Sequence, residues 1–403
     1  LTFGYTMIVA ETAIGRMTRK SPVGAFKSFG KKKWLSFGGW INAVIPVLIV
    51  PYYSVIGGWV IKYLVEYFRG NAKLLAEDGY FTDFISNGVS TELCFVAFCA
   101  FTLIIIFAGV QNGIERVSKI MMPILIVLSV IIAVYSVTRP GALAGVKYFL
   151  VPNVKNFSWM TVVAAMGQMF YSLSIAMGIL ITFGSYMKKD TAIEDSTRNV
   201  EIFDTGIAIM AGLMIIPAVF AFSGGDPDTL QAGPSLMFIT IPKVFQNMGF
   251  GTVIGIVFFV LVLFAAITSS IALTESAVST FEDELGWGRK KATVLVGVIM
   301  LALGSLSSLG YGPLAGIKII GMQFLDLFDF LTNSVMMPIA ALLTSLLVSR
   351  VVGIDKIEDE IIHGESAFRR KKVFVVMIKY LCPVFAIIIL LSSVANALGW
   401  IKM

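Results

Sequence analysis

Ten long apolar runs alternate with short polar segments along the 403-residue chain. About 20 consecutive apolar residues let a helix cross the hydrocarbon core of a bilayer, and most of these runs approach or exceed that length. Alternating ten-residue segments of the kind that form membrane strands are absent. The pattern predicts transmembrane helices at residues 1–13, 41–63, 93–110, 120–137, 160–186, 200–222, 253–279, 293–308, 328–348 and 373–398.

Composition supports an integral membrane protein. The chain is 57% hydrophobic and only 14% charged, whereas a soluble domain carries about 25% charged residues. The runs leave no room for a soluble domain, so residues 1–403 are expected to form a single transmembrane unit. Segments 64–92 and 223–250 combine Gly, Pro and Asp with amphipathic stretches, which predicts short helices on the extracellular side.

Basic residues set the predicted orientation. Segment 15–40 holds seven Lys and Arg residues and no acid, and short loops rich in Lys and Arg stay in the cytoplasm. The loop before the last run is also basic, whereas loops 223–250 and 308–327 are not. The triple lysine 31–33 fits either a positive-inside anchor or a site for an anionic lipid.

Catalytic and nucleotide-binding motifs are absent. The chain has one histidine, His363, and three scattered cysteines, Cys94, Cys99 and Cys382. These do not provide a metal-binding spacing or a Ser-His pair, and there is no phosphate-binding loop. The sequence argues against an enzyme and offers nothing for a nucleic-acid partner.

Two membrane stretches are unexpectedly polar. "GQMFYSLSIAMG" (167–178) places Ser172 and Ser174 midway along an apolar run. Polar groups inside a membrane are costly and mark functional sites, so we expect a helix break at about residues 173–177, with free backbone groups lining a cavity. "LFAAITSSIAL" (263–273) has three consecutive hydroxyls, which suit a hard cation such as sodium.

Three further residues stand out inside the predicted helices. Asp204 lies either near the cytoplasmic end of its run or deeper, where it would need a cation. Glu11 can pair with Arg16 or bind free backbone groups of a broken neighbour. Tyr53 lies near the bilayer centre, outside the interfacial belts where tyrosines collect.

Three motifs carry a resemblance to a known family. "YYSVIGGW", "GQMFYSLSIAMG", and "AAITSSIAL" followed by "FEDELGWGRKKA" closely resemble the neurotransmitter:sodium symporter family, above all its bacterial LeuT-like amino-acid transporters. The resemblance implies an all-α integral membrane protein with a LeuT-type inverted-repeat helical bundle. It aligns Leu1 with the family's second helix, so about ten helices, the family's second to eleventh, are expected without the first.

The resemblance also implies roles for individual residues. The expected substrate-binding residues are Ile49, Tyr53, Tyr171, Ser172, Ser174, Met177, Ser269 and Leu273. Two sodium ions are expected, one at Ser172 and Asp204 and the other at Ala265, Thr268 and Ser269. Gating and supporting roles are expected for Glu11, Gln168, Tyr186, Asp283 and Asp329, with Tyr186 and Asp283 forming the inner gate.

The implied function is sodium-coupled symport of amino acids by alternating access, in the plasma (inner) membrane of a bacterium. Apolar pocket walls favour a hydrophobic or aromatic L-amino acid. Asp204 replaces the family's usual Asn, and its carboxylate would balance the charge that chloride balances in some relatives, so chloride is not expected. Two alternatives stay open: an amino-acid-binding receptor or scaffold that does not transport, and a proton-coupled carrier using Asp204 or Glu11. The sequence does not indicate the oligomeric state.

Overall fold

A computed structural model describes residues 2–154, 157–226, 230 and 233–397. These residues form helices, with one isolated β-bridge between Ile319 and Met322 and no strand, which confirms the all-α prediction. The α-helices are α1 Thr2–Thr18, α2 Pro22–Lys27, α3 Lys33–Phe68, α4 Ala72–Leu75, α5 Tyr80–Ser86, α6 Gly88–Phe107, α7 Arg116–Val137, α8 Ala142–Leu150, α9 Trp159–Ser172, α10 Ile179–Tyr186, α11 Ile193–Ser223, α12 Ile241–Gln246, α13 Gly251–Leu285, α14 Arg289–Leu309, α15 Phe324–Asp329, α16 Met337–Leu347, α17 Ile354–Ile362, α18 Lys371–Val376 and α19 Cys382–Ala397.

Short π-helical turns join or extend several of these helices. They are Val110–Glu115, Leu236–Thr240, Phe330–Met336, Val348–Val352 and Met377–Leu381. Two of them link α-helical pieces into one long helix, since Phe330–Met336 joins α15 to α16 and Met377–Leu381 joins α18 to α19. Val110–Glu115 runs into the start of α7. The hydrophobic runs therefore continue through these turns.

Eight helical stretches among the described residues are long and apolar enough to cross a membrane: Lys33–Phe68, Gly88–Phe107, Val110–Val137, Ile193–Ser223, Gly251–Leu285, Arg289–Leu309, Phe324–Val352 and Lys371–Asn396. The other two predicted spans are not continuous helices of comparable length. Helix α1 has 17 residues, and the run at 160–186 is divided between α9 and α10. Leu1 and Leu398, at the outer limits of the first and last predicted spans, lie outside the described residues.

Helices extend beyond the predicted runs where polar residues continue the helical backbone. The run predicted at 41–63 belongs to α3, which has 36 residues. Hydropathy marks the part of a helix that lies in lipid, whereas backbone hydrogen bonding decides where the helix ends. The apolar pattern thus located the helices but underestimated their length.

Small residues allow close contact between helices in the bundle. A Cβ at Gly15 of α1 would lie 2.0 Å from the carbonyl oxygen of Ile181 in α10, and one at Gly184 would lie 2.6 Å from the carbonyl oxygen of Thr12. Glycines at such positions let two backbones approach, as is common between membrane helices. Helix α10 is thereby fixed against α1, and the long helices α3 and α13 pack against each other beside them.

Short helices cover one end of α3 and α13. Trp59 and Tyr63 of α3 pack with Phe81 of α5 and Phe238, with ring centroids 5.0–6.5 Å apart. The Tyr63 hydroxyl donates a hydrogen bond to the Phe238 carbonyl at 2.7 Å. Aromatic packing and this buried hydrogen bond therefore hold the connecting segments against the helix ends.

Candidate functional site

The predicted helix break is present at the centre of the site. Helix α9 ends at Ser172 and α10 begins at Ile179, which confirms an interruption at residues 173–178. Ser174 and Ala176 have φ of 55° and 59°, a left-handed conformation that costs a residue with a Cβ about 1–2 kcal/mol. The surrounding contacts must stabilise this backbone.

Glu11 supplies one of those contacts. Its Oε1 accepts a hydrogen bond from the Ala176 backbone N–H at 2.9 Å, and its side chain is fully buried. Its Oε2 has no hydrogen-bond partner among the described residues. Of the two roles open to Glu11, the structure therefore supports binding to the broken backbone.

Arg16 has a different partner. Its Nε lies 2.6 Å from Oε1 of Glu360, and its Nη1 donates to the Thr191 carbonyl at 2.5 Å. A third hydrogen bond runs from Nη2 to the Glu360 carbonyl. This buried guanidinium joins α1, the segment before α11, and α17.

Gly178 ends the interruption. Its φ is 74°, and an added Cβ would lie 2.7 Å from the Asn42 carbonyl oxygen and 2.8 Å from Cγ of Pro22. Only glycine satisfies both the backbone conformation and the available space. The start of α10 is consequently fixed against α2 and α3.

Ser172 and Asp204 meet directly, as their shared predicted role requires. The Ser172 hydroxyl donates to Oδ1 of Asp204 at 2.6 Å, although the two residues lie on α9 and α11. A hydroxyl and a carboxylate oxygen at this separation can both coordinate one hard cation. The donor set therefore fits sodium.

The second predicted sodium position lies on the continuous helix α13. The Thr268 hydroxyl is 3.0 Å from the carbonyl oxygens of Phe264 and Ala265. Ser269, the next residue, is exposed. A hydroxyl beside a carbonyl offers two neutral oxygen ligands, which suits a monovalent ion. No group of three or more His, Cys, Asp or Glu side chains is assembled for a metal anywhere in the described part of the chain.

A cavity of about 180 Å³ lies between the break and α13. Seven of the eight residues expected to bind substrate line it: Tyr53, Tyr171, Ser172, Ser174, Met177, Ser269 and Leu273. Ile49 does not line it and is completely buried in α3. Ile179 and Ala272 line it although the sequence analysis did not select them. Ala272 lies three residues after Ser269, so helical spacing from Ser269 was a usable signal.

A second cavity, of about 660 Å³, adjoins the first and shares Tyr53 and Tyr171 with it. Asp329 and Gln168 line this second cavity. The Tyr52 hydroxyl donates to Oδ1 of Asp329 at 3.1 Å. Tyr171 therefore lies between the two cavities, where a lid residue would lie.

Tyr186 and Asp283, the two residues expected at the inner gate, do not hydrogen-bond to each other among the described residues. Tyr186 instead donates to Oε1 of Glu275 at 2.8 Å, and Arg289 binds Glu275 at 2.6 Å. Oδ2 of Asp283 accepts from the Ser21 backbone N–H at 2.6 Å. Glu275 is two helical turns before Asp283 on α13, and the sequence motif did not reveal that this closer acid would bind Tyr186.

Comparison with known proteins adds independent findings. Residues 66–399 match the model of the sodium:neurotransmitter symporter family. The uncharacterized sodium-dependent transporter YhdH of Bacillus subtilis is 33% identical over 98% of this chain and 87% of its own length. An uncharacterized sodium-dependent transporter of Haemophilus influenzae is 30% identical over 98% of this chain and 88% of its own.

A solved structure gives the same result for the fold. The crystal structure of MhsT in complex with L-phenylalanine matches with a TM-score of 0.86 and 33% identity, covering 98% of this chain and 89% of that one. The similarity extends over nearly the whole chain, so the LeuT-type fold expected from the sequence is confirmed. The family and the solved structure are transporters, which confirms the expectation of a transporter rather than an enzyme.

Proposed function

The chain belongs to the sodium:neurotransmitter symporter family, and on that premise we propose that it couples sodium entry to uptake of a hydrophobic or aromatic L-amino acid. The observation that carries the proposal is the 180 Å³ cavity, which combines hydroxyl groups with the apolar side chains of Met177, Ile179 and Leu273. The bound L-phenylalanine in MhsT supports this substrate class by similarity.

The carboxylate and the side chain of such a substrate each have a counterpart in the cavity. The Tyr53 hydroxyl would donate to the substrate carboxylate, and Ser174 and Met177 of the interruption line the same space. Met177 and Leu273, both nearly fully buried, would contact the apolar side chain. A charged side chain would lose its hydration without gaining a partner in these walls.

Coupling would follow from Ser172, which both lines the cavity and contacts Asp204. A cation held by Ser172 and Asp204 would fix the end of α9 and with it the shape of the substrate cavity. Moving one charge across 100 mV provides about 2.3 kcal/mol, and tenfold accumulation requires about 1.4 kcal/mol. The two sodium ions proposed here are sufficient for ordinary gradients.

We place the protein in the plasma membrane of a bacterium, with the basic loop 15–40 in the cytoplasm. Bacterial relatives that match nearly the whole chain support this location. The carboxylate of Asp204 supports transport without chloride, since it already supplies a negative charge beside Ser172.

The test is uptake of labelled L-phenylalanine into proteoliposomes that contain the full-length protein, including any residues encoded before Leu1. We expect accumulation with an inward sodium gradient and none with choline in its place. Ser172→Ala should weaken the stimulation of uptake by sodium and should lower the accumulation of labelled L-phenylalanine. Ser86→Ala, whose hydroxyl bonds only the Thr82 carbonyl one turn away, should match the unmodified protein.

The same experiment separates the alternatives. Binding of phenylalanine without counterflow of labelled substrate would replace the proposal with a receptor or scaffold. Uptake that persists without sodium at acid pH would indicate a proton-coupled carrier.

A further inference from the structure

The last helical span, Lys371–Asn396, has an exposed face that is apolar except near its basic end. Its buried face carries Phe374, Ile378, Cys382, Ala386 and Ile389, at helical spacing. The opposite face leaves Val376 and Val384 each 50% exposed and Leu391 64% exposed. In a membrane protein such a stripe contacts lipid tails.

Lys379 interrupts this stripe. It is exposed and lies seven residues after Lys372, about two turns further along the helix, within the π-helical turn Met377–Leu381. Lys372 is also exposed, and Tyr380 beside Lys379 is 65% exposed. A spacing of seven residues puts the two lysines on one face.

The neighbouring basic residues have acidic partners. Arg369 pairs with Asp195 at 3.3 Å, Arg370 with Glu201 at 2.9 Å, and Lys371 with Glu358 at 2.5 Å. Among the described residues Lys372 and Lys379 make no ion pair and no side-chain hydrogen bond. Lys372 and Lys379, the two cations on the lipid-facing side, therefore have no acidic partner among the described residues.

An uncompensated lysine on a lipid face is costly. Insertion of a lysine at the centre of a membrane helix is strongly unfavourable. A lysine nearer the end lowers this cost by extending its ammonium to the headgroups. Helical side chains tilt toward the helix N-terminus, and here the N-terminus is the basic end, which faces the cytoplasm by the positive-inside rule.

We propose that Lys372 and Lys379 bind the phosphate of one anionic phospholipid in the cytoplasmic leaflet. The two ammonium groups lie on one face, above and below the phosphate, and the Tyr380 hydroxyl donates a further hydrogen bond. The acyl chains lie along the deeper exposed apolar residues Val384 and Leu391, which share a face with Tyr380. The negative headgroup supplies the charge that the described protein residues do not.

Native mass spectrometry of the full-length protein in detergent tests this site. The protein is titrated with phosphatidylglycerol or with phosphatidylcholine of the same acyl chains. Each lysine near a membrane surface contributes about 1 kcal/mol to binding an anionic lipid, which is about fivefold in affinity. With both lysines, one phosphatidylglycerol should therefore bind about thirtyfold more tightly than phosphatidylcholine. Lys379→Gln should reduce that preference about fivefold, and Lys372→Gln with Lys379→Gln should abolish it.

Two controls make the result specific. Lys379→Arg keeps the charge and should keep the preference. Lys318→Gln removes an exposed lysine from the segment between α14 and α15 and should leave the preference unchanged. No packing contact is lost in Lys379→Gln, so the variant should remain folded.

Three results would overturn the proposal. The first is equal binding of the two lipids to the unmodified protein. The second is an undiminished preference in Lys379→Gln. The third is a change in the number of protein copies, rather than of bound lipids, which would identify the stripe as a contact between subunits.

Discussion

The contact between Ser172 and Asp204 places a carboxylate beside the end of α9. They are 32 positions apart in sequence and 2.6 Å apart in space. An asparagine in place of Asp204 would leave the hydrogen bond but remove a fixed negative charge. The carboxylate should therefore strengthen sodium binding and make an external anion unnecessary.

Replacing Asp204 with Asn tests this charge. Uptake by the unmodified protein should be the same in chloride and gluconate. Asp204→Asn should need about tenfold more sodium for half-maximal uptake, which corresponds to about 1.4 kcal/mol, and chloride should partly restore it. Asp190→Asn, in the exposed segment before α11, is the matched control. Loss of unmodified uptake in gluconate would contradict the role assigned to the carboxylate.

Glu11 makes a separate prediction about stability. Glu11→Ala leaves the buried Ala176 N–H without its acceptor, and an unsatisfied buried donor costs about 1–3 kcal/mol. Glu11→Gln retains a carbonyl oxygen for this bond and should lose less. Thermal unfolding of the purified variants measures the difference; equal melting temperatures for Ala and Gln would show that the hydrogen bond contributes little.

The family resemblance supplied seven residues that line the cavity, but Ile49 is not among them. Ile49 precedes Tyr53 by one helical turn, so an ideal helix would place both on one face. Pro51 lies between them in α3, and proline removes a backbone hydrogen bond and bends a helix. Ile49 does not line the cavity, and its contact with substrate stays a prediction.

At the scale of elements, the interruption between α9 and α10 was predictable because its cause is local. Serines and glycines at mid-membrane have no role in a plain apolar helix. The contacts that stabilise the interruption are not local: Gly178 packs on Asn42 and Pro22, more than 130 positions earlier in the sequence. Spacing in one segment does not contain this information.

Two glycine substitutions test the interruption. Gly178→Ala introduces a Cβ at a positive φ, which costs about 1–2 kcal/mol, and adds a clash with the Asn42 carbonyl. It should lower the melting temperature clearly. Gly167→Ala lies in α9, where a Cβ meets nothing within 4 Å, and should be neutral or stabilising by up to about 1 kcal/mol. Equal effects of the two substitutions would argue against a required left-handed residue at position 178.

For the whole molecule, Arg16 is a principal connection between distant parts of the chain. It is completely buried and binds α17 through Glu360 and the segment before α11 through Thr191. The sequence predicted a basic cytoplasmic loop here but not this partner, since Glu360 is 344 positions away. Long-range pairing of charges was the least predictable part of the fold.

Arg16→Ala should destabilise the protein strongly. It leaves the Glu360 carboxylate buried without a counter-charge, and breaking a buried ion pair in this way costs about 3–5 kcal/mol. Lys119→Ala disrupts an exposed pair with Glu115 and should cost less than about 1 kcal/mol. Chemical unfolding of the two variants in the same detergent compares them, and similar losses would contradict a structural role for Arg16.

The position of Tyr171 between the two cavities predicts which step of the transport cycle is slow. Tyr171 and Tyr53 line both the candidate substrate cavity and the larger cavity beside it, and side-chain rotation is a fast, local motion. Near the basic segment 15–40, Tyr186 and Arg289 bind Glu275, and Asp283 binds the Ser21 backbone N–H. An opening at this inner gate, as proposed from the resemblance, would break several of these contacts together. We therefore expect entry to equilibrate rapidly and opening toward the cytoplasm to set the pace of the cycle.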